Sequence, residues 1–377
     1  MVAQQQQMVP FRSATLERVS PVAQDTVTQT TSTQHIEHAL EGSGYIYGVT
    51  LELTATTASN AATVANQEDA PWSVLDTVVY RDVNGELLNI SGFNLWVASL
   101  INKQYAGVTS DGVTATGGAS SGYVYDSTVF APPTTGSGST AGSYHFFLRV
   151  PIGLNRRDLT GILGNQDRAQ RYYLRTDLAP GSAVYSTAPT TLPSVQINRW
   201  YENYAVPLQT GPGGQPQQVV PDSFGVLHYL TATSSPTAPA PGTQNHYLQR
   251  IGNTIRWIAL VFRSNSSRAT AQTNAPTNIL FKLGEDTIFN ESYAYRRFVM
   301  FERYGFSFPS GVLVYDALHD FQAGAGNELG EDYYHSQALV NGQFQITYPS
   351  GFGTTANSLY IVTDDLQDTT GTATTAG

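Results

Sequence analysis

Hydrophobic residues along this chain recur mostly at every second position, in short runs separated by Gly-, Pro-, Ser- and Thr-rich segments. In the run GYIYGVTLELTAT at 44–56, the apolar residues that interleave with Gly, Thr and Glu are Ile46, Val49, Leu51 and Leu53. A period near two is the pattern of a β-strand with one buried face. Runs of this kind occur in both halves of the chain, so the sequence predicts an all-β protein of many short strands.

Two segments carry helical spacing instead. A strand pair that ends at Ile90 has its predicted turn at Asn84-Gly85. After it, apolar residues recur at three- and four-residue intervals, with Ser91 placed to cap the helix and Gly107 placed to end it. A second helix follows the apolar run that contains Leu280 and ends near Gly305. We expect one face of each helix to be core, and the predicted core positions are Phe93, Trp96, Val97, Leu100, Phe298 and Phe301.

The two strand–turn–helix units align without a gap. Val79 falls on Leu280, a separation of 201 residues, and the same separation places Ser91 on Ser292. The agreement in the order of elements indicates that one β-domain occurs twice. The predicted fold class is therefore all-β, with two tandem eight-stranded jelly rolls, each with an inserted amphipathic helix and long loops. A pair of immunoglobulin-like sandwiches is the alternative, but a helix of this length is unusual there.

Changes in composition along the chain suggest five regions. These are an N-terminal arm at 1–40, a first jelly roll at 41–206, a Gly/Pro/Gln-rich linker at 207–222, a second jelly roll at 223–367 and a flexible tail at 368–377. Within the arm, the segment from Pro10 to Pro21 is predicted to be one short helix or a frayed tail.

The charge balance and the cysteine content argue against several classes of function. Charged residues are only 13% of the 377 residues, and 19 Lys+Arg stand against 29 Asp+Glu, which argues against direct nucleic-acid binding. Large surfaces buried against neighbouring subunits would explain the scarcity of charge. The absence of cysteine excludes disulfides and thiolate metal sites. No signal peptide and no apolar run long enough to span a membrane is recognisable, so we expect a protein that is not secreted by the usual route.

Candidate chemistry is sparse. Ser120 lies in a G-x-S-x-G string, but in a loop without the strand and helix that a nucleophile elbow needs. His35 and His38 are spaced for a shared metal but lack a third ligand, and we expect solvated histidines. The acidic pairs at 68–69, 285–286, 331–332 and 364–365 are predicted to be solvated turn residues. We predict no enzyme, no catalytic, cofactor-binding or metal site and no cofactor.

Four segments resemble the double jelly-roll major capsid proteins of tectivirus-like icosahedral bacteriophages, the lineage that includes adenovirus hexon. They are VVYRDVNGELLNISGFNLWVASLINKQ at 78–104, LRVPIGLNRRDLTGIL at 148–163, AQRYYLRTDL at 169–178 and RYGFSFPSGVLVYD at 303–316. Phe93 stands where a Trp is expected after Ser-Gly, a conservative departure. The resemblance extends from the arm to about residue 366.

The resemblance implies a structural function. Such proteins trimerise into pseudo-hexameric capsomers because three copies of a duplicated domain supply six similar edges. The chain is then the major capsid protein of a virion, made in the host cytoplasm, of a tailless phage with an internal membrane. The implied partners are itself as a homotrimer, neighbouring capsomers, vertex or minor capsid proteins and the underlying viral membrane. Loops 107–143 and 319–342 would project outward.

Candidate contact residues follow from this. The resemblance places the arm at the inner side of the shell, where its candidate contacts are Met8, Phe11, Arg12, Leu16, Arg18 and Val19. Adjacent charges in a chain with few of them suggest a subunit contact at Arg156, Arg157 and Asp158. The alternative function is a jelly-roll carbohydrate-binding or receptor-binding spike protein, and a two-domain β-hydrolase is a third possibility.

Overall fold

The structure is a computed structural model, and it describes residues 8–40, 42, 44–56, 64–83, 85–102, 130–131, 143–156, 159–167, 171–269, 274–317, 333–336, 341–353 and 355–368. Several predictions fall outside this part of the chain: the turn residue Asn84, the helix end at Gly107, most of the loops 107–143 and 319–342, Ser120, Arg157, Asp158, the acidic pair 331–332 and the tail from 369.

In the first half, the residues that the structure describes form a set of strands and three helices. The strands are β1 Glu17–Thr28, β2 Gln34–Ala39, β3 Tyr45–Thr56, β4 Ala65–Asn66, β5 Leu75–Arg81, β6 Glu86–Ile90, β7 Phe130–Ala131, β8 Ser143–Pro151, β9 Leu163–Gly164, β10 Tyr173–Leu178, β11 Tyr185–Thr187 and β12 Ser194–Tyr204. The helices are α1 Phe11–Ala14, α2 Gly92–Ile101 and α3 Gly181–Val184, with a 3-10 turn at Trp72–Val74.

The described part of the second half forms a similar set with one helix, α4 Tyr293–Tyr304. Its strands are β13 Val226–Ser234, β14 Gly242–Tyr247, β15 Thr254–Ser264, β16 Ser267–Arg268, β17 Asn278–Leu283, β18 Asp286–Glu291, β19 Val312–Asp316, β20 Tyr334–His335, β21 Gly342–Tyr348 and β22 Ser358–Asp368.

The long strands of each half form two antiparallel four-stranded arrays in the same order. In the first half the arrays are β1-β12-β3-β8 and β2-β10-β5-β6, and in the second half they are β13-β22-β15-β19 and β14-β21-β17-β18. Within each half, therefore, the first long strand pairs with the last, and the second pairs with the last but one. Of the short strands, β4 and β11 form a separate two-stranded sheet, and the others pair with strands of these arrays. Both halves thus have one topology.

The repeat extends to strand register. In the hairpin β5–β6, Tyr80 pairs with Leu88, and the register shifts before Arg81. In the hairpin β17–β18, Phe281 pairs with Phe289, and the register shifts at the corresponding step before Lys282. Each residue of the first hairpin matches the residue 201 positions later. A shared irregularity of this kind indicates the same local packing, because a bulge re-aims the side chains that follow it.

The N-terminal region differs from the predicted arm. Only Phe11–Ala14 is helical, whereas β1 pairs with β12 along its length and β2 pairs with β10. Residues 17–39 therefore supply the first two strands of the first half, and the prediction of an arm that reaches residue 40 is wrong for them. The reason is that β1 lies at a sheet edge with most of its side chains accessible, so its sequence lacks the apolar alternation of an inner strand.

Candidate assembly surfaces

The two halves join within one sheet. Strand β6 of the first half pairs in parallel with β13 of the second, with Leu88 opposite Leu230 and Asn89 opposite Thr231. We call this junction, together with α2 and the side chains of the second half that cover it, the seam. Leu88 and Leu230 are both buried. The seam makes the two halves one continuous unit.

Helix α2 lies inside the seam. The hydroxyl of Ser91 accepts a hydrogen bond of 3.3 Å from the backbone amide of Asn94 and so caps the helix. Every residue from Gly92 to Ile101 is buried. The second half covers it: the Trp257 indole donates to Asn102 at 3.3 Å, and the Arg268 guanidinium lies 5.2 Å from the Phe93 ring centroid. The predicted core positions Phe93, Trp96, Val97 and Leu100 are all buried here. A helix that is apolar on all sides needs such cover.

One predicted acidic pair lies in a turn at the seam, where Glu68 is exposed and Asp69 is partly buried. Arg268 of the second half donates from Nε to Asp69 at 2.9 Å and from its backbone amide to Glu68 at 2.6 Å. Arg263 also donates to Asp69. Because Asp69 is mostly shielded from water, these charge-assisted bonds hold the two halves in register more strongly than exposed ion pairs would.

A second acidic pair is buried in β22. Arg256 donates to both carboxylate oxygens of Asp364, at 2.9 and 2.8 Å, and His228 Nε2 lies 3.2 Å from the same carboxylate. Burial by itself would raise the pKa of Asp364, but the Arg256 and His228 charges outweigh it and lower that pKa. The prediction that residues 364–365 are solvated is wrong, because β22 is an inner strand of its sheet.

His228 also reaches the first half, since its Nδ1 lies 3.2 Å from the carbonyl oxygen of Ile152. The buried Arg256 and His228 were missed by the sequence analysis. The available signal was the strand-like run that continues to Leu366, in which Asp364 shares a face with the apolar Val362 and Leu366.

Helix α4 differs from its counterpart α2. Its buried residues are Arg296, Met300 and Tyr304, and Gly305 ends it with a left-handed φ of 70°. Phe298 and Phe301 are exposed, together with Tyr295 one turn earlier. The prediction that Phe298 and Phe301 are core is therefore wrong.

The cause lies in the other face of α4. Arg296 donates from Nε to the carbonyl of Val314 at 2.7 Å, and Arg297 donates to the carbonyl of Phe308 at 2.7 Å. These arginines anchor the helix to the strand behind it, and the three aromatic side chains lie on the opposite side. The assignment of aromatic residues to the core therefore predicted the wrong buried face for α4.

The N-terminal segment is fastened to the linker. The Gln218 amide donates to the carbonyl of Val9 at 2.9 Å, and the Phe11 amide donates to the Gln218 side chain at 3.1 Å. Phe11 is buried against Tyr45, with ring centroids 5.2 Å apart. Phe11 is therefore an internal anchor and not an exposed contact. The other candidate contacts of this segment, Met8, Arg12, Leu16, Arg18 and Val19, are exposed.

Arg156 has partners within its own chain. It donates to Glu202 at 3.0 Å and to Glu17. Arg149 donates two hydrogen bonds to the same Glu202 carboxylate from its two terminal guanidinium nitrogens, at 3.0 and 2.7 Å. This network ties β1 to β12 and to the loop after β8. Arg156 is thus committed to an internal contact.

The remaining candidate chemistry is dispersed. His35 lies 2.8 Å from Asp177, and His38 lies 2.8 Å from Asp25, so the two histidines have separate partners. Among the described residues, no three His, Asp or Glu side chains converge as a metal site would require. None of the helices in the described part of the chain is long and apolar enough to cross a membrane.

Comparisons with known proteins find similarity in structure only. No family model and no curated protein matches the sequence. Among solved structures, the major capsid protein of Sulfolobus turreted icosahedral virus superposes with a TM-score of 0.64 at 12% identity, over 94% of this chain and 97% of that one. The PBCV-1 virus capsid protein gives 0.56 at 10% identity, over 93% and 94%.

A third structure extends the comparison to a bacteriophage. The major capsid protein P2 of bacteriophage PM2 gives a TM-score of 0.51 at 10% identity, over 93% of this chain and 97% of that one. The fold is a double jelly roll. The strand order repeated in the two halves agrees with this, and the predicted fold class is confirmed. The immunoglobulin-like alternative is excluded.

Proposed function

We propose that this chain is the major capsid protein of an icosahedral virus. The observation that carries the proposal is the double jelly roll itself, shared over at least 93% of the chain with capsid proteins of three viruses. Jelly rolls also occur in lectins, but the duplication over the whole length is what the capsid proteins have in common with this chain. We infer a structural role with no catalytic step, located in the shell of the virion.

The proposed mechanism is assembly. A chain with two similar domains supplies two similar outer edges, so three copies related by a three-fold axis form a unit with six similar sides. Such a unit tiles a near-hexagonal lattice. The first jelly roll would comprise residues 17–204 and the second residues 226–368, with the segment between them as the linker.

We further propose that the exposed N-terminal residues face the inner side of the shell. Met8, Leu16 and Val19 are apolar and exposed, and Leu208 and Val220 of the linker are exposed as well. The backbone bonds between Val9 and Gln218 hold the two segments together. Apolar side chains grouped in this way suit a neighbouring capsomer, a minor capsid protein or an underlying membrane. The virus would be a tailless phage with an internal membrane, and the chain would be made in the host cytoplasm.

The mass of the purified full-length protein in solution tests the proposal. Three copies of the 40.8 kDa chain give about 122 kDa, and we expect mass photometry and sedimentation velocity to find this species. Raising the protein concentration should not produce an unlimited series of larger species, because a closed unit has a fixed number of copies. A protein that stays at the mass of one chain at micromolar concentration would refute the capsomer proposal.

A further inference from the structure

The seam uses one edge strand of each half, β6 and β13, and the equivalent of each in the other half is an outer strand among those the structure describes. In the first half, β1 is an edge strand, and in the second half, β18 is an edge strand. We call β18 and the exposed face of α4 the helix flank, and β1 with the outer side of β12 around Trp200 the strand flank. The helix flank is the counterpart of β6 and α2 in the seam, because the 201-residue offset relates the two hairpins.

The strand flank, β1 and β12, is the counterpart of β13 and β22, which form the second-half side of the seam. Strands β12 and β3 shift register between Glu202 and Asn203, and strands β22 and β15 shift between Asp364 and Asp365. This shared bulge equates Glu202 with Asp364. Val19 pairs with Glu202, and Leu230 pairs with Asp364. Val19 is therefore equivalent to Leu230.

Trp200 is equivalent to Val362 for the same reason, because Trp200 lies two residues before Glu202 and Val362 lies two residues before Asp364. Val362 lies on the side of β22 that carries Tyr360, because alternate residues of a strand share a face. Tyr360 lines a cleft at the seam together with Arg263 and Phe93. The outer side of β12 at Trp200 therefore corresponds to a surface that the seam covers in the second half.

Residues buried at the seam have exposed apolar counterparts on both flanks. Val97 and Leu100 are 0% and 3% exposed, whereas Phe298 and Phe301 are 60% and 54% exposed. Leu230 and Val362 are 1% and 0% exposed, whereas Val19 and Trp200 are 61% and 37% exposed. The helix flank thus resembles the first-half surface of the seam, and the strand flank resembles the second-half surface. In the seam these two surfaces are packed together, whereas on the flanks both are exposed.

We propose that the helix flank of one copy packs on the strand flank of a second copy and repeats the seam between chains. Phe298 and Phe301 would cover the outer side of β12 around Trp200, and β18 would run parallel to β1. By the equivalences above, Asn290 would lie opposite Ser20, as Asn89 lies opposite Thr231 in the seam. This inference rests on the proposed function and adds to it the two surfaces and their register.

The contact is heterologous, since the two flanks of one chain are different surfaces. A heterologous contact generates a closed ring or an open filament, depending on the rotation between copies. Because the contact would repeat the arrangement of the two halves, the six domains of three copies would be related by similar steps. A closed ring of three copies is the expected product.

Charge substitution on the helix flank is the first test. In the variant Phe298→Asp/Phe301→Asp, burial of two carboxylates should raise the dissociation constant of the trimer at least about tenfold. The thermal midpoint of the monomer should not change, because both side chains are exposed within the chain. Tyr247→Asp is the matched control: Tyr247 is 49% exposed on β14, at the opposite edge of the same sheet, and should leave the trimer intact.

Cross-linking tests the register directly. The chain has no cysteine, so Ser20→Cys/Asn290→Cys carries the only two thiols. A short bismaleimide should join copies into covalent dimers and trimers on a denaturing gel. Ser20→Cys/Tyr247→Cys, whose second thiol lies on the far edge, should remain at the mass of one chain.

The outcomes separate this inference from the proposed function. Trimers that dissociate with the aspartate variant and cross-link through residues 20 and 290 support it. Trimers that survive the aspartate substitutions and give no cross-link overturn the inference while the capsid proposal stands. A wild-type protein that never forms trimers contradicts both.

Discussion

At the scale of single residues, several ionisable side chains are buried inside the sheets instead of being solvated. Arg256, His228 and Asp364 form a group with almost no contact with water inside the second jelly roll. Removing one charge of such a group leaves the other uncompensated, which costs far more than the loss of an exposed ion pair. These residues are difficult to find from sequence, because an Asp-Asp pair near the end of a strand resembles a turn.

The variant Asp364→Asn should lower the free energy of unfolding by about 3–5 kcal/mol at neutral pH, because the Arg256 charge stays buried without a carboxylate. Urea unfolding followed by tryptophan fluorescence measures the change. Asp286→Asn is the control, since Asp286 is exposed on β18, and it should change stability by less than about 0.5 kcal/mol. Equal effects of the two variants would contradict the assigned role of Asp364.

His246 gives a pH dependence of known sign. It is 1% exposed, lies 2.8 Å from the Ser235 hydroxyl and 3.0 Å from the Tyr348 hydroxyl, and burial lowers its pKa to about 4. In the unfolded chain the pKa of histidine is about 6.5. Between these values only the unfolded state binds the proton, so stability falls as pH decreases from about 6.5 to about 4.

The size of this loss is on the order of 3 kcal/mol if His246 titrates alone. The variant His246→Gln removes the titrating group, and its stability should vary less with pH over the same window. Urea unfolding at a series of pH values measures both proteins. An unchanged pH profile in the variant would show that His246 does not cause the dependence.

At the scale of elements, two helices at equivalent positions have different neighbours. Helix α2 is covered on all sides within the chain, whereas α4 has one face anchored by Arg296 and Arg297 and one exposed. The spacing of apolar residues located both helices and their N-caps, Ser91 and Ser292, but did not distinguish the buried face of α4 from the exposed one. The reason is that apolar residues give the same spacing whether they pack inside the chain or stay exposed on it.

Leu100 and Phe301 provide a matched pair, because they occupy equivalent positions 201 residues apart. Leu100→Ala should lower the free energy of unfolding by about 2–5 kcal/mol at every protein concentration, since it opens a cavity in the seam. Phe301→Ala should have an effect only where copies associate, and this effect should grow with protein concentration. Urea unfolding at several concentrations distinguishes the two, and a loss independent of concentration for Phe301→Ala would contradict the exposed face.

Edge strands were the least predictable elements. The apolar pattern and the Asn84-Gly85 signal predict the hairpin β5–β6, and the apolar pattern predicts the inner strand β15. The pattern of β1 predicts part of an arm instead. An edge strand is held by backbone bonds to a single neighbour, so its side chains need not alternate. Register against β12, and with it the placement of Val19 and Trp200, depends on tertiary pairing that no local pattern contains.

At the scale of the whole molecule, duplication explains both the fold and the proposed assembly. The length, the repeated strand–turn–helix unit and the linker were sufficient to predict two jelly rolls. They did not predict that β6 and β13 would merge the two rolls into one sheet, because parallel pairing between distant strands has no sequence signature. We propose that the contact between chains repeats the arrangement of this merged sheet.

Class averaging of negatively stained, purified full-length protein tests the central claim most directly. The account predicts particles with three-fold symmetry and a base of six similar lobes, two from each chain, because three double jelly rolls supply six domains. Averages that show single chains, or a three-fold particle without a six-lobed base, would contradict the claim that this chain builds a pseudo-hexameric capsomer.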